Sequence, residues 1–210
     1  MLVGNDVVDL RDPQSSPEAL HARFDERAFT AEEREALSAS VSRHALRWAF
    51  WAAKESAYKV AKKLDPTVRF FPRDFAVRRM TEGRAVVIHR AGLFDVRLDS
   101  TDDWVCAVAT IQAASPPATH APVRSGVARL EGSSADPSRT VRELVCAALG
   151  PWMNLPPERV RIAADGGVPV ALWRGRRLAV DLSLAHHGRF VAWAWGECAI
   201  PEDQRGFVAA

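Results

Sequence analysis

The residues best suited to chemistry are two acids in otherwise apolar patterns, Asp6 and Glu55. Asp6 belongs to residues 1–10 (MLVGNDVVDL), a run rich in β-branched residues that predicts a strand. Because alternate side chains of a strand share a face, Asp6 lies among apolar neighbours, whereas Asp9 points to the other side. The other members of the Asp6 face are Leu2, Gly4, Val8 and Leu10. A glycine there permits close approach of a ligand or another backbone, and the alternative is that Asp6 caps or ends the strand.

Glu55 lies in residues 41–64, a stretch without proline or glycine that predicts one long helix. One side of this helix is an apolar stripe, formed by Leu46, Phe50, Ala53, Ala57, Val60 and Leu64. The opposite side carries Glu55 with Trp48, Trp51, Ala52, Tyr58, Lys59 and Lys62. Because tryptophans rarely face water, we expect this second side to pack against another part of the chain, with the second half as its natural partner. The alternative for Glu55 is an ordinary i,i+4 pair with Lys59, worth about 0.2–0.5 kcal/mol.

A basic segment precedes the long helix. Arg23 and Arg27 alternate there with Phe24 and Phe29. Thr30 followed three residues later by Glu33 has the spacing of a capping box, which predicts the start of a helix. The arginines indicate either a solvated face or a docking surface for an acidic partner.

The two halves of the chain follow the same pattern of predicted elements. In the first half, the long helix precedes strand-like segments at 75–77, 84–89, 94–98 and 104–110. Residues 113–125 (AASPPATHAPVRS) have the composition of a linker. The second half offers a strand at 126–130, a helix at 138–149 and strands at 160–163, 168–173, 178–184 and 190–195. A strand, a helix and a meander, occurring twice, predict an α+β pseudo-duplication with halves at 1–112 and 126–210.

The composition is that of an ordinary globular protein. The 210 residues are 48% hydrophobic and 26% charged, and the net charge of +2 gives no reason to expect a nucleic-acid partner. Three widely spaced cysteines, Cys106, Cys146 and Cys198, have no metal-ligand spacing and indicate thiols in a reducing compartment. Without a membrane-spanning apolar run or a signal-peptide pattern, we expect a cytoplasmic protein with no membrane partner.

The chemistry of the halves differs, although their predicted elements match. The first half supplies Asp6, Glu55, Lys54 and Lys59. The second half supplies Ser183 and His186 near a hairpin turn, and Arg174, Arg176 and Arg177 in a basic loop. Alone, each second-half set is typical of an exposed turn or a solvated loop. Together, the complementary sets predict one composite site per chain between the halves, for which a monomer suffices.

Several motifs resemble those of the 4′-phosphopantetheinyl transferases. Residues 4–10 (GNDVVDL), 23–33 (RFDERAFTAEE) and 51–59 (WAAKESAYK) resemble, in this order, the holo-acyl-carrier-protein synthase branch. Residues 167–169 (GVP) and 182–186 (LSLAH) resemble the Gly-x-Pro and Ser-x-Ser-His elements of the family. The length and the two repeats resemble the larger, pseudo-dimeric branch that activates peptide synthetases, with the halves in permuted order.

This resemblance implies a fold and a reaction. The fold has two α+β halves, each with a long helix packed on a small antiparallel sheet. In the reaction, a serine hydroxyl of an apo acyl or peptidyl carrier protein attacks the β-phosphate of coenzyme A. The phosphopantetheine arm moves to the serine and 3′,5′-ADP leaves. The resemblance also implies Mg²⁺ or Mn²⁺ as cofactor, held by Asp6 and Glu55.

The resemblance further implies a role for each candidate residue. Asp6, Glu55 and Lys59 are the expected catalytic residues, with Lys59 neutralising phosphate charge and Glu55 orienting or deprotonating the serine. The residues expected to hold coenzyme A are His186, Ser183, Arg174, Arg176, Arg177 and Lys54. Arg23 and Arg27 are expected to dock the carrier protein. Fatty acid, polyketide and peptide synthesis all use such carriers, and the sequence does not name one.

The sequence also departs from the family pattern. Ala185 stands where the family has Ser or Thr before its histidine, Val168 replaces a common Lys, and Asn5 replaces an apolar residue. The glycines that commonly follow the last motif lysine are missing. Because the metal residues are intact, these departures bear on substrate affinity more than on reaction type. The alternatives are a homologue that binds coenzyme A or a carrier without transfer, and a plain structural duplication.

Overall fold

The first half is a five-stranded sheet covered by a long helix. The structure is a computed structural model that describes residues 1–81, 83–111, 122–132 and 136–198. The helices of this half are α1 (Phe24–Ala28), α2 (Ala31–Ala39) and α3 (Arg43–Leu64). Its strands are β1 (Val3–Asp9), β2 (Ala76–Thr81), β3 (Arg84–His89), β4 (Gly92–Ser100) and β5 (Trp104–Ile111). They pair antiparallel in the order β1-β5-β4-β3-β2.

The second half has a related order of elements but divides its strands between two sheets. Its elements are β6 (Arg124–Arg129), α4 (Pro137–Trp152), β7 (Val160–Asp165), β8 (Val168–Trp173), β9 (Arg176–Arg177), β10 (Val180–His187) and β11 (Phe190–Glu197). They form two short antiparallel sheets, β10-β11-β6 and β7-β8-β9. In both halves the first strand pairs with the last strand and is followed by the helix. The predicted α+β fold with two related halves is therefore confirmed.

The proposed boundary between the halves falls largely outside the described residues. Residues 112–121, most of the predicted linker 113–125, are not described, and β6 already includes the last two linker residues. Residues 199–210 of the predicted second half also lie outside the described part of the chain.

The apolar stripe of α3 packs on the first sheet, as the helical periodicity predicts. Phe50, Ala53, Ala57 and Val60 are buried in the core of this half. β1 approaches α3 so closely that a Cβ atom at Gly4 would lie 2.1 Å from the carbonyl oxygen of Ser56. Glycine is therefore required at this position by a backbone contact, one of the two reasons that the sequence offered.

The second side of α3 is covered by the first half itself, so the prediction that the second half covers it is wrong. Trp48 Nε1 donates a hydrogen bond to the carbonyl oxygen of Ser15 at 3.0 Å. The ring of Phe24 lies 5.8 Å from Trp48 and 5.5 Å from Trp51. Phe70, in the segment after α3, packs edge-on against Trp51 with 5.5 Å between the ring centroids. These aromatic contacts come from segments before and after the helix that fold back across it.

The second half instead packs against β1. Alternation along this strand directs Val8 into the core beneath α3, and directs Val3 and Val7 into a separate core shared with the second half. The second-half members of that core are Ala185, Phe190, Ala192 and Ala194. Thus β1 is the strand on which the two halves meet.

Candidate active site

The two candidate carboxylates meet at one lysine. Asp6 projects from β1, and Glu55 and Lys59 lie one turn apart on α3, which packs on that strand. Lys59 Nζ lies 3.3 Å from Asp6 Oδ1 and 3.8 Å from Glu55 Oε1, and it donates to the carbonyl oxygen of Asn5 at 2.7 Å. The structure thus brings Asp6, Glu55 and Lys59 together.

Asp6 is held in an environment that disfavours its charge. Burial raises the pKa of this carboxyl from 3.8 to about 7, Lys59 opposes the rise, and the negative charge of Glu55 adds to it. Glu55 is less enclosed, with 30% of its side chain exposed against 10% for Asp6. The negative charge of a buried carboxylate beside a second carboxylate would be stabilised by an additional cation.

The second half contributes polar side chains along the free edge of β1. The backbone N–H groups of Val3 and Asn5 donate to Asp181 Oδ2 at 2.7 Å and Ser183 Oγ at 2.9 Å. Farther along, Asp9 N–H donates to His187 Nδ1 at 3.2 Å. These acceptors occupy alternate positions of β10, so they share the face that is turned toward β1. Ser183 Oγ thus contacts the backbone of Asn5, the residue before Asp6.

His186 and Ala185 take their places from the same alternation. His186 is exposed and falls on the opposite face of β10, whereas Ala185 lies in the apolar core shared with β1. Ala185 occupies the position between Ser183 and His187 in the row of acceptors, and its methyl group accepts no hydrogen bond. The assignment of His186 to coenzyme A remains a prediction.

The three predicted arginines lie around the β8–β9 turn, and all three are exposed. Arg174 has a φ of 51° and stacks its guanidinium 4.5 Å from the centroid of the Trp173 ring. Arg177 Nη1 lies 3.7 Å from Asp165 Oδ2 on β7, in the same short sheet.

Lys54, predicted to bind coenzyme A, is instead sealed inside the first half. Its side chain is 0% exposed and lies 2.8 Å from Glu33 Oε2. Its ammonium also donates to the carbonyl oxygens of Pro72 and Phe75 at 3.0 and 2.8 Å. Burial lowers the pKa of Lys54, and Glu33 opposes that shift. With all its donors directed inward, Lys54 is a structural residue, and its assignment as a coenzyme A ligand is wrong.

A lysine that the sequence analysis missed joins the halves near the start of β1. Lys63 Nζ lies 2.7 Å from Asp181 Oδ2 and donates to the carbonyl oxygens of Val3 and Leu182 at 2.7 and 2.6 Å. Burial lowers the pKa of Lys63, and Asp181 opposes that shift. The signal in the sequence was its position one turn after Lys59, on the same side of the helix.

A second missed pair joins the halves at the other end of β1. Asp9, buried with 1% of its side chain exposed, accepts hydrogen bonds from Nε and Nη2 of Arg189, both at 2.7 Å. Burial alone would raise the pKa of Asp9, but the hydrogen bonds from Arg189 and from Arg11 N–H outweigh it and lower this pKa to about 2. The alternation of the strand correctly predicted that Asp9 lies on the face opposite Asp6, but it did not identify Arg189 as the partner.

The basic segment before α3 forms an open depression on the first half. It is lined by Arg23, Glu26, Arg27, Arg34 and Arg73. Arg23 is paired with Glu26 at 2.9 Å. Beside the depression, Phe71 is 59% exposed, which is unusual for a large aromatic side chain. The surface therefore combines positive charge with an apolar group.

The described residues contain no group of three or more His, Cys, Asp or Glu side chains that could enclose a metal. Asp6 and Glu55 nevertheless fit Mg²⁺, which is commonly bound through one or two carboxylates, with substrate phosphate and water completing its coordination. Among the described helices, none is both long and apolar enough to cross a membrane. Cys106, Cys146 and Cys198 are free, and burial raises the pKa of Cys106 to about 12.

Comparison with known proteins gives a family match and two similar solved structures. Residues 2–109 match the family model described as the 4′-phosphopantetheinyl transferase superfamily. Holo-[acyl-carrier-protein] synthase from Neisseria meningitidis is similar at 18% identity and a TM-score of 0.44, over 54% of this chain and 100% of that one. The Thermotoga maritima holo-[acyl-carrier-protein] synthase is similar at 15% identity and a TM-score of 0.40, over 83% of each chain. No curated protein matches the sequence.

Proposed function

Because the chain belongs to the 4′-phosphopantetheinyl transferase superfamily, we propose that it transfers the phosphopantetheine arm of coenzyme A to a serine of an apo carrier protein. The serine oxygen forms a bond to the β-phosphorus, the phosphoanhydride bond to the α-phosphate breaks, and 3′,5′-ADP leaves. The serine proton passes to a base. The carrier is an acyl or peptidyl carrier protein whose pathway is left open.

The observation that carries this proposal is that Asp6 and Glu55 both lie beside Lys59. Asp6 belongs to β1, the strand that packs against the second half. Asp6 and Glu55 would hold Mg²⁺ or Mn²⁺, which when bound neutralises charge on the pyrophosphate. Lys59 stabilises the negative charge that develops on the phosphate oxygens. Glu55, the more exposed of the two acids, orients the serine hydroxyl or accepts its proton.

The two substrates approach from different parts of the molecule. We assign coenzyme A to the second-half side, with Ser183 at the edge of β1, and His186, Arg174, Arg176 and Arg177 contacting its phosphates. We assign the carrier protein to the basic surface around Arg23 and Arg27, because carrier proteins are acidic near the modified serine. One site per chain follows, since only the first half supplies the carboxylates, and a monomer is sufficient.

Mass spectrometry of a carrier protein tests the proposal. After incubation with the protein, coenzyme A and Mg²⁺, an apo carrier should gain the mass of one phosphopantetheine arm. Glu55→Gln should reduce the rate by roughly 100-fold or more and leave the melting temperature unchanged, because it removes a charge at a partly exposed position. Glu143→Gln, at an exposed ion pair with Arg139 on α4, is the matched control and should retain full activity.

A binding module is the second candidate, favoured by one observation. Ala185 interrupts the row of hydrogen-bond acceptors that faces β1, at a position where the resemblance leads us to expect a hydroxyl. Coenzyme A binding in calorimetry without modification of acyl or peptidyl carriers would favour that candidate over the transferase. A Glu55→Gln variant that transfers at the normal rate would contradict the role given to Glu55.

A further inference from the structure

A charged pair connects each end of β1 to the second half, and Asp6 lies between the two pairs. Near the start, Lys63 on α3 binds Asp181, which also accepts the N–H of Val3. At the end, Asp9 binds Arg189 in the turn between β10 and β11. The strand that carries the candidate catalytic acid is therefore fixed to the other half before and after that acid.

The Asp9–Arg189 pair is more closely specified than a surface salt bridge. The Asp9 carboxylate accepts two side-chain hydrogen bonds and the backbone N–H of Arg189 at 2.9 Å. A Cβ atom at Gly188, where φ is +52°, would lie 2.6 Å from Asp9 Oδ2. The turn therefore needs glycine for both its conformation and its approach to the carboxylate. A forked guanidinium contact of this kind fixes orientation as well as distance.

Asp9 also connects to the surface assigned to the carrier protein. Its carbonyl oxygen accepts a hydrogen bond from Ser15 Oγ at 2.8 Å. The carbonyl oxygen of Ser15 in turn accepts the indole N–H of Trp48, which packs on Phe24 of α1. Through these contacts one residue links the β10–β11 turn, the strand of Asp6 and the helix beside Arg23 and Arg27.

We propose that Asp9 and Arg189 are positioning residues for the transfer reaction. They hold Asp6, three residues earlier on β1, in register with the second half and with α1, so that coenzyme A and the carrier serine meet at one place. This inference rests on the proposed function. Reaction rates fall steeply when reacting groups are misplaced, by as much as about 100-fold for 1 Å, so a loosened pair should slow the reaction within the bound complex.

Steady-state kinetics of Arg189→Lys and Arg189→Ala test the pair, with Arg139→Ala on α4 as the control. Lysine keeps the charge but loses the fork, so we expect kcat per folded molecule to fall by roughly 10-fold for Arg189→Lys and more for Arg189→Ala. The KM for the carrier should change by less than about threefold, because the docking arginines are untouched. Arg139→Ala should leave kcat, both KM values and the melting temperature unchanged.

Two other results would overturn the inference in different ways. If wild-type protein transfers the arm and both Arg189 variants keep the wild-type kcat per folded molecule, the pair only stabilises the fold, whatever the melting temperatures. If wild-type protein modifies no carrier, the proposed function fails, and the positioning role fails with it. Correcting kcat for the folded fraction, measured by circular dichroism, separates a positioning effect from lost protein.

Discussion

Two lysines five residues apart on α3 are both paired with acids, but their surroundings differ. Lys54 and Glu33 are completely buried, and their remaining hydrogen-bonding capacity is used inside the fold. Glu33 accepts the N–H groups of Thr30 at 2.8 Å and of Val77 at 2.6 Å, in addition to Lys54. This pair joins α2, α3 and β2 and has no free face.

Lys59 and its acids are only partly satisfied by the protein. Lys59 is 25% exposed, its contacts with Asp6 and Glu55 are long, and burial leaves Asp6 with a raised pKa. The difference between the two lysines teaches how a structural charged pair can be told from a functional one in this fold. The distinguishing property is the hydrogen-bonding and charge-pairing capacity that the protein leaves unused. A closed pair supports the fold, whereas an open pair leaves capacity for a cation or a phosphate.

Breaking the closed pair should have the largest effect on stability. Lys54→Met leaves Glu33 buried without its counter-charge, so we expect the free energy of unfolding to fall by about 3–5 kcal/mol. Urea denaturation followed by circular dichroism measures this change. Adding Glu33→Gln to Lys54→Met should recover part of the loss, because it removes the unpaired charge. A stable Lys54→Met variant with weakened coenzyme A binding would restore Lys54 to the site.

Removing the charge of Asp6, in contrast, should increase the free energy of unfolding. The folded-state pKa of Asp6, about 7, lies above its ordinary value of 3.8, so in the metal-free protein the contribution of Asp6 to stability falls as pH rises from about 4 to 7. Asp6→Asn avoids this loss, and we expect it to raise the free energy of unfolding at pH 8 by on the order of 2 kcal/mol. Thermal melts at pH 4 and pH 8 measure the difference, which should be small at pH 4. A destabilised Asp6→Asn variant at pH 8 would show that Asp6 is structural.

A smaller effect is expected at Asn5, next to Asp6. Within the described residues, its side-chain Oδ1 and Nδ2 are buried without a hydrogen-bond partner, opposite Val108 on β5. Asn5→Val fits a strand and removes these groups, so it should raise the free energy of unfolding by about 1 kcal/mol. Urea denaturation at pH 7 measures the gain. An unchanged or lowered free energy of unfolding would show that the Asn5 amide does not destabilise the fold.

The parts of the fold that follow local patterns were predictable from the sequence. The absence of proline and glycine from residues 41–64 defined α3, and alternation placed Asp6 and Asp9 on opposite faces of β1. Thr30 and Glu33 form the capping box that their spacing predicts. Each of these features depends on residues close in the chain, so their signals survive without knowledge of the tertiary structure.

The parts that failed depend on distant contacts. The carbonyl oxygens that surround Lys54 come from Pro72 and Phe75, beyond the end of α3, and no local pattern announces them. His187, whose side chain contacts β1, was not named from the sequence, because which face of β10 is turned toward β1 depends on how the halves are placed together. Arg189 and Asp9 are 180 residues apart, so their pairing was not visible before the halves were placed together.

The position of β1 also decides how far the halves can be treated as separate units. Val8 on this strand belongs to the core under α3, while Val3 and Val7 belong to the core shared with the second half. A fragment that ends after β5 would therefore expose an apolar strand face, and the Asp9 carboxylate would lose its ion pair with Arg189. The repeat seen in the connectivity is a repeat of topology, but cooperative unfolding should involve the whole chain, because β1 packs against the second half together with Cys106 and Val108 of β5.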